Sequence, residues 1–105
     1  MINFDDFNKL DIRIGTILEA ELVPDTDKLL KLKVDLGDEQ RELVAGIADT
    51  YKPEDLKGKQ IPILTNLEPK TIKGIESKGM ILAVDNDKAI LLHPDKQVIN
   101  GSKIR

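Results

Sequence analysis

The segment Lys28–Leu36 limits the possible folds more than any other. Leu30, Leu32, Val34 and Leu36 recur at every second position, with Lys31 and Lys33 between them. Period two places the four aliphatics on one face of a strand and the two lysines on the other. Such a strand must lie against an apolar core. After the turn residues Gly37-Asp38, the run Arg41–Ala45 suits the return strand of a hairpin, and Arg41 is expected to join Lys31 and Lys33 on the outer face. Upstream, Ile12, Ile14, Leu18, Ala20 and Leu22 hold one parity, with Glu19 and Glu21 on the opposite face. Gly15 lets this long strand bend, as the first strand of a small barrel must.

The remaining signals are also mostly β. Asn3 suits the N-cap of a short turn over Phe4–Leu10, with Asp5 and Asp6 placed for its positive end. Pro24-Asp25-Thr26-Asp27 reads as a loop. Ala48–Leu56 reads as one or two helical turns, started by Pro53 and stopped by Gly58. Strands follow over Gln60–Thr65, Met80–Val84 and Ala89–Leu92, with an Asp85-Asn86-Asp87 turn before the last. Pro62 cannot donate to a ladder, so the Gln60–Thr65 strand needs an edge or a bulge there. The expected fold is all-β: a five-stranded Greek-key barrel of the OB type, with one short helix and added N- and C-terminal elements. A chain of 105 residues fits one domain spanning 1–105.

Several function classes are disfavoured. With no cysteine there is no disulfide, thiolate metal site or cysteine nucleophile. No apolar run approaches the ~20 residues of a membrane-spanning helix. The N-terminus is acidic and lacks a signal pattern, so a cytoplasmic location and no membrane partner are expected. His93, the single histidine, precedes Pro94 and has no patterned partner. The Asp25/Asp27 and Asp85/Asp87 pairs lack the glycine and distal glutamate of a calcium loop. There is no glycine-rich phosphate loop and no nucleophile elbow. The expectation is a non-catalytic chain without cofactor or metal.

Binding chemistry is concentrated elsewhere. Asn66, Lys70, Lys73, Ser77, Lys78 and Met80 lie between two strand-like runs, in Asn66-Leu67-Glu68-Pro69-Lys70 and Gly74-Ile75-Glu76-Ser77-Lys78-Gly79-Met80. Lysines suit phosphates, Asn and Ser suit sugar or base edges, and Met offers an apolar face to a base or to the barrel interior. The simpler alternative is a solvated loop with a glycine turn. The net charge of −3 opposes nucleic-acid binding overall. Its distribution does not: residues 1–56 carry 14 acidic and seven basic side chains, and residues 57–105 carry five and nine. A local cationic patch on an acidic chain implies weak, auxiliary binding. Phe4, Phe7 and Tyr51 are the only aromatics, and none lies on the cationic strands. That favours reading of backbone and shape over base stacking.

These residues together resemble the tRNA-binding domain appended to the C-terminus of many methionyl-tRNA synthetases, which also occurs as a free-standing protein. The resemblance rests on Asp11-Ile12-Arg13, Asp27-Lys28-Leu29-Leu30, Val34-Asp35-Leu36-Gly37, Arg41, Val44-Ala45-Gly46-Ile47, Tyr51, Leu56-Lys57-Gly58, Asn66–Lys70 and Ser77–Met80, in the family's order over nearly the whole chain. It implies an OB-fold, a homodimer, and binding of tRNA by shape near the outer corner of the L. The family's phosphate- and ribose-contacting positions fall on Lys31, Lys33, Arg41, Asn66, Lys70, Ser77 and Met80, with Lys73 and Lys78 adjoining. The implied role is to assist a methionyl-tRNA synthetase, as its C-terminal domain or as a separate small subunit. A related branch of small dimers acts as export chaperones. It lacks the Asp27–Leu30 and Ser77–Met80 strings, so polypeptide binding ranks second. The apolar tail supports a dimer as well. Ile90, Leu92, Val98, Ile99 and Ile104, within the C-terminal part 86–105, exceed the needs of a minimal barrel and would either lid it or build a two-fold interface, the second being what the resemblance implies; Phe4 and Phe7 would seal the barrel end or join that interface.

Overall fold

A computed structural model describes all residues, 1–105. Its centre is one antiparallel five-stranded sheet, curled into a nearly closed barrel. The strands are β1 (Ile12–Leu22), β2 (Leu30–Asp35), β3 (Gln40–Ala45), β4 (Gln60–Leu64) and β7 (Met80–Ile81), in the order β3-β2-β1-β4-β7. Two hairpins are added: β5 (Lys70–Ile72) with β6 (Ile75–Ser77), and β8 (Ala83–Asn86) with β9 (Lys88–Leu91). The interior holds Ile17, Leu30, Leu32, Val34, Leu43, Ile47, Leu56, Ile61 and Ile63, each at most 1% exposed. Burial of each such aliphatic contributes about 1.5–3 kcal/mol. This is the OB-like, nearly all-β barrel anticipated from the sequence.

The long first strand is shared between two partners. Its N-terminal half pairs with β4, from Ile12 opposite Leu64 to Thr16 opposite Gln60. Its C-terminal half pairs with β2, from Thr16 opposite Asp35 to Leu22 opposite Leu30. The edge that β2 leaves free is taken by the C-terminus. Ile14 N–H donates to Ser102 O at 2.9 Å, Gly101 N–H to Ile14 O at 2.7 Å, and Ile104 N–H to Ile12 O at 2.8 Å.

The parity expected for β1 needs correction. A register shift between Ile17 and Glu19 inserts an extra residue opposite β2. Ile17 therefore fills the core, while Leu18 is only half-buried. The outer-face assignment of Arg41 also fails. In the β2–β3 register, Glu42 stands opposite Lys33 and Val44 opposite Lys31, whereas Arg41 stands opposite the core residue Val34. Arg41 thus has inward parity and reaches out at the barrel's end.

Smaller elements follow their chemistry. Asn3 closes a capping box with Asp6 over a helix α1 (Phe4–Asn8), which ends at Asn8 rather than Leu10. The Ala48–Leu56 segment forms only a 3-10 turn, at Pro53–Asp55. The carbonyl of Pro62 accepts from Leu82 N–H, on the side away from β1. Pro62 has no N–H to return, and the β4–β7 ladder covers only Ile63 and Leu64. The expected Met80–Val84 strand accordingly breaks at Leu82, and its second part becomes β8.

Candidate nucleic-acid interface

The segment between β4 and β7 is a hairpin rather than a loop. Lys70 pairs with Ser77, Thr71 with Glu76 and Ile72 with Ile75. The two-residue connection, Lys73-Gly74, has positive φ at both positions, 52° and 80°. That is the geometry whose twist matches a β-hairpin, and glycine adopts it without cost. The hairpin leans on β3. Lys78 N–H donates to Glu42 O at 3.0 Å, and Val44 N–H donates to Ser77 Oγ at 2.9 Å. Ser77 Oγ in turn donates to Gly79 O at 3.2 Å. Ser77 is 5% exposed, so its hydroxyl clasps the barrel shut from inside.

A cleft of about 550 Å³ runs between β3 and this hairpin. It brings together Lys31, Arg41 and Lys78, which lie far apart in sequence, and adds Gln40, Glu42 and Glu76. Its cations are paired. Lys31 Nζ is 2.9 Å from Glu21 and 3.6 Å from Glu42, and Lys78 Nζ is 3.6 Å from Glu76. Arg41 donates to Glu39 through Nε at 2.6 Å and Nη2 at 3.4 Å, and to the Thr65 carbonyl through Nη1 at 2.6 Å. The Glu21 carboxylate, and then Glu42, hold Lys31 charged above the usual lysine range. The Arg41 hydrogen bond holds Glu39 below the usual carboxylate range.

The other candidates are dispersed around the cleft. Lys70 and Lys73, on the hairpin, are exposed and have no carboxylate partner. Lys33 lies along β2 outside the cleft, between Glu19 and Glu42 on neighbouring strands. Asn66 precedes the hairpin with both ends of its amide engaged: Oδ1 accepts from Asp11 N–H at 2.9 Å, and Nδ2 donates to Lys9 O at 2.7 Å. Met80 is 45% exposed, so it is available at the surface rather than packed in the barrel. Glu42 and Glu76 were not among the residues singled out by sequence. Counting the β2–β3 register from the Gly37-Asp38 turn would have placed Glu42 beside Lys33.

A second ionic group sits behind Arg41, where Asp11, Arg13, Glu39 and Thr65 adjoin it. Arg13 donates to Asp11 through Nε at 3.0 Å and Nη2 at 3.2 Å, which lowers the Asp11 pKa. A carboxylate whose pKa is lowered by folding stabilises the fold above its unfolded pKa. That contribution is lost as pH falls through the lower, folded value. Urea unfolding titrated into acid should therefore show stability falling below the ordinary carboxylate range. Asp11→Asn should be less stable than wild type at neutral pH, and the gap should close in acid. A gap that stays constant with pH would exclude the Asp11–Arg13 pair as its source.

The C-terminal segment is fastened by Gln60. Its Nε2 donates to Val98 O at 2.7 Å and its Oε1 accepts from Val98 N–H at 3.0 Å. The fastened segment leaves Leu92 (41%), Ile99 (84%) and Ile104 (37%) exposed, while Ile90 and Val98 are half-buried. Phe4 is exposed and stacks on the half-buried Phe7 at 6.4 Å between ring centroids.

The family described as "Putative tRNA binding domain" matches residues 12–103. The methionine–tRNA ligase of Archaeoglobus fulgidus is 53% identical over 104 residues, and that of Methanothrix thermoacetophila is 56% identical over 106. These alignments cover 98% and 100% of this chain but 16% of each ligase, so the chain spans about a sixth of the length of these relatives. Among solved structures, a MetRS-related protein from Pyrococcus horikoshii superposes with a TM-score of 0.94 at 36% identity, covering 100% of this chain and 98% of that one. The chaperone CsaA from Bacillus anthracis superposes with a TM-score of 0.91 at 38% identity, covering 100% and 99%. With the family match running almost end to end, and ligase relatives above half identity across it, the chain belongs to the tRNA-binding-domain family.

Proposed function

We propose that this chain is a non-catalytic, shape-selective tRNA-binding module. It acts as a homodimer in the cytoplasm, assisting a methionyl-tRNA synthetase as its C-terminal domain or as a separate small subunit. The observation that carries this reading is the cationic hairpin. Lys70 and Lys73 project unpaired beside a cleft containing Lys31, Arg41 and Lys78, and no aromatic side chain lines that cleft. Phosphates set at fixed spacings on a folded RNA suit such a surface better than splayed bases do. A second reading, binding of unfolded polypeptide, is favoured by the full-length similarity to the chaperone CsaA.

Titration against labelled tRNA, an equal-length unstructured RNA and an unfolded polypeptide separates the two. Intact tRNA should bind most tightly. Lys70→Ala and Lys73→Ala should each weaken binding and flatten its salt dependence by about one unit of log–log slope. Preference for the unstructured RNA would reject shape reading. Binding of the polypeptide alone would favour the chaperone role.

A further inference from the structure

The cleft's ion pairs divide the cationic residues into two sets. Lys31, Arg41 and Lys78, which line the cleft, each have a carboxylate within 3.6 Å. Lys33, Lys70 and Lys73, outside it, have none. Two of the carboxylates, Glu42 and Glu76, line the cleft itself. Glu42 is also held beside Lys31 by the β2–β3 register, because it stands opposite Lys33, two residues along the same face.

We infer that Glu42 and Glu76 act as internal competitors for phosphate, a selectivity gate within the cleft. An anion approaching Lys78 meets Glu76, and one approaching Lys31 meets Glu42 at 3.6 Å in addition to the closer Glu21 at 2.9 Å, which does not line the cleft; in each case it must displace the cleft carboxylate or tolerate its charge nearby. The outer lysines, Lys70 and Lys73, attract any polyanion without this penalty. Only a ligand anchored there, with further phosphates held rigidly over the cleft, displaces the carboxylates without an added ordering cost. A flexible chain must lose conformational freedom for each such contact. Exposed ion pairs are weak, so each gate is one a folded RNA can open. The inference rests on the tRNA-binding reading above and assigns its selectivity to two residues that carry the same charge as the ligand.

The test compares Glu42→Gln, Glu76→Gln and the double variant with wild type. Glu54→Gln serves as control; it removes an exposed carboxylate from the 3-10 turn, outside the cleft. Affinities for tRNA and for an equal-length unstructured RNA are measured at two salt concentrations, with unfolding midpoints confirming that each variant folds. Each cleft variant should bind the unstructured RNA about three- to fivefold more tightly at low salt, with a steeper salt dependence. The gain for tRNA should be smaller, so the preference for tRNA narrows, and most in the double variant. If the cleft variants match Glu54→Gln, or bind either RNA more weakly than wild type, the gate is overturned while tRNA binding stands. A wild-type chain that binds neither RNA overturns the functional reading and the gate with it.

Discussion

Gly101→Ala should destabilise the fold by about 2–4 kcal/mol and loosen the C-terminal segment from β1. Gly101 has φ of 89°, and Gly37, across from it, has φ of 92°. The two backbones touch where β2 ends. A Cβ on Gly37 would lie 2.6 Å from Asn100 O, and a Cβ on Gly101 would collide with Leu36 O. Neither neighbour is a flexible side chain. The alanine must therefore bear left-handed strain and also push the two segments apart. The bonds that depend on their approach are Gly101 N–H to Ile14 O and Thr16 Oγ1 to Asn100 Oδ1, at 2.7 and 2.6 Å. Their loss would bare a strand edge carrying the buried Ile12 and Ile14. Gly58 provides the control. Its φ is 90°, but a Cβ there meets nothing within 4 Å. Gly58→Ala should cost only the left-handed strain, about 1–2 kcal/mol. Urea unfolding of both variants, with hydrogen exchange at Ile14 and Ile104, decides the matter. Equal losses, with exchange at those amides unchanged, would refute the close backbone contact.

Much of the barrel was legible in the sequence because it depends on local pattern. Leu30–Leu36 alternates without a break, and its four aliphatics are at most 2% exposed. Asn3 with Asp6 signals its cap through side-chain chemistry, and Pro53 and Gly58 signal a start and a stop through restricted and free backbone angles. What was illegible depended on counting residues across partners. The β1 bulge shifts parity by one residue, so Ile17 replaced Leu18 in the core although the two are equally apolar. The turn between β2 and β3 fixes which residue faces which, and one step separates Arg41 from Glu42. Such offsets leave no trace in composition.

In the candidate site, residue type is legible in the sequence and the intramolecular partner of each side chain is not. Ser77 clasps β3, Asn66 ties the hairpin's foot to the end of α1, and Arg41 binds Glu39 and a carbonyl. Polar side chains with fixed partners and those free for a ligand look alike in one dimension. Glu39 is two residues from Arg41, but Thr65, Val44 and Lys9 lie 24 to 57 residues from the side chains they hold. Lys70 and Lys73, on the hairpin, and Met80, at the start of β7, remain as surface groups.

The largest effect on assembly should come from a charge on the C-terminal face. Leu92, Ile99 and Ile104 stay exposed although the segment carrying them is fastened by Gln60 and β1. Leu92 and Ile104 flank an apolar groove of about 430 Å³, floored by Ile14 and Pro62 and shared with Val98. Folding of one chain has thus left this surface in water, where Ile99 forgoes most, and Leu92 and Ile104 a part, of the ~1.5–3 kcal/mol that full burial of such a side chain contributes. A two-fold axis through the patch would bury the same residues on both copies. It would also place two lysine-bearing hairpins on one particle, so that tRNA is held with avidity. Wild type should therefore sediment as a dimer at micromolar concentration. Leu92→Glu and Ile99→Glu should each sediment as folded monomers, because a carboxylate cannot be buried at that surface without a partner. Their tRNA affinity should fall well beyond the change from one added negative charge, and raising protein concentration should restore it only in part. A monomeric wild type would exclude the two-fold interface. Variants that remain dimeric with full tRNA affinity would place the interface elsewhere and leave the exposed aliphatics without a role in assembly.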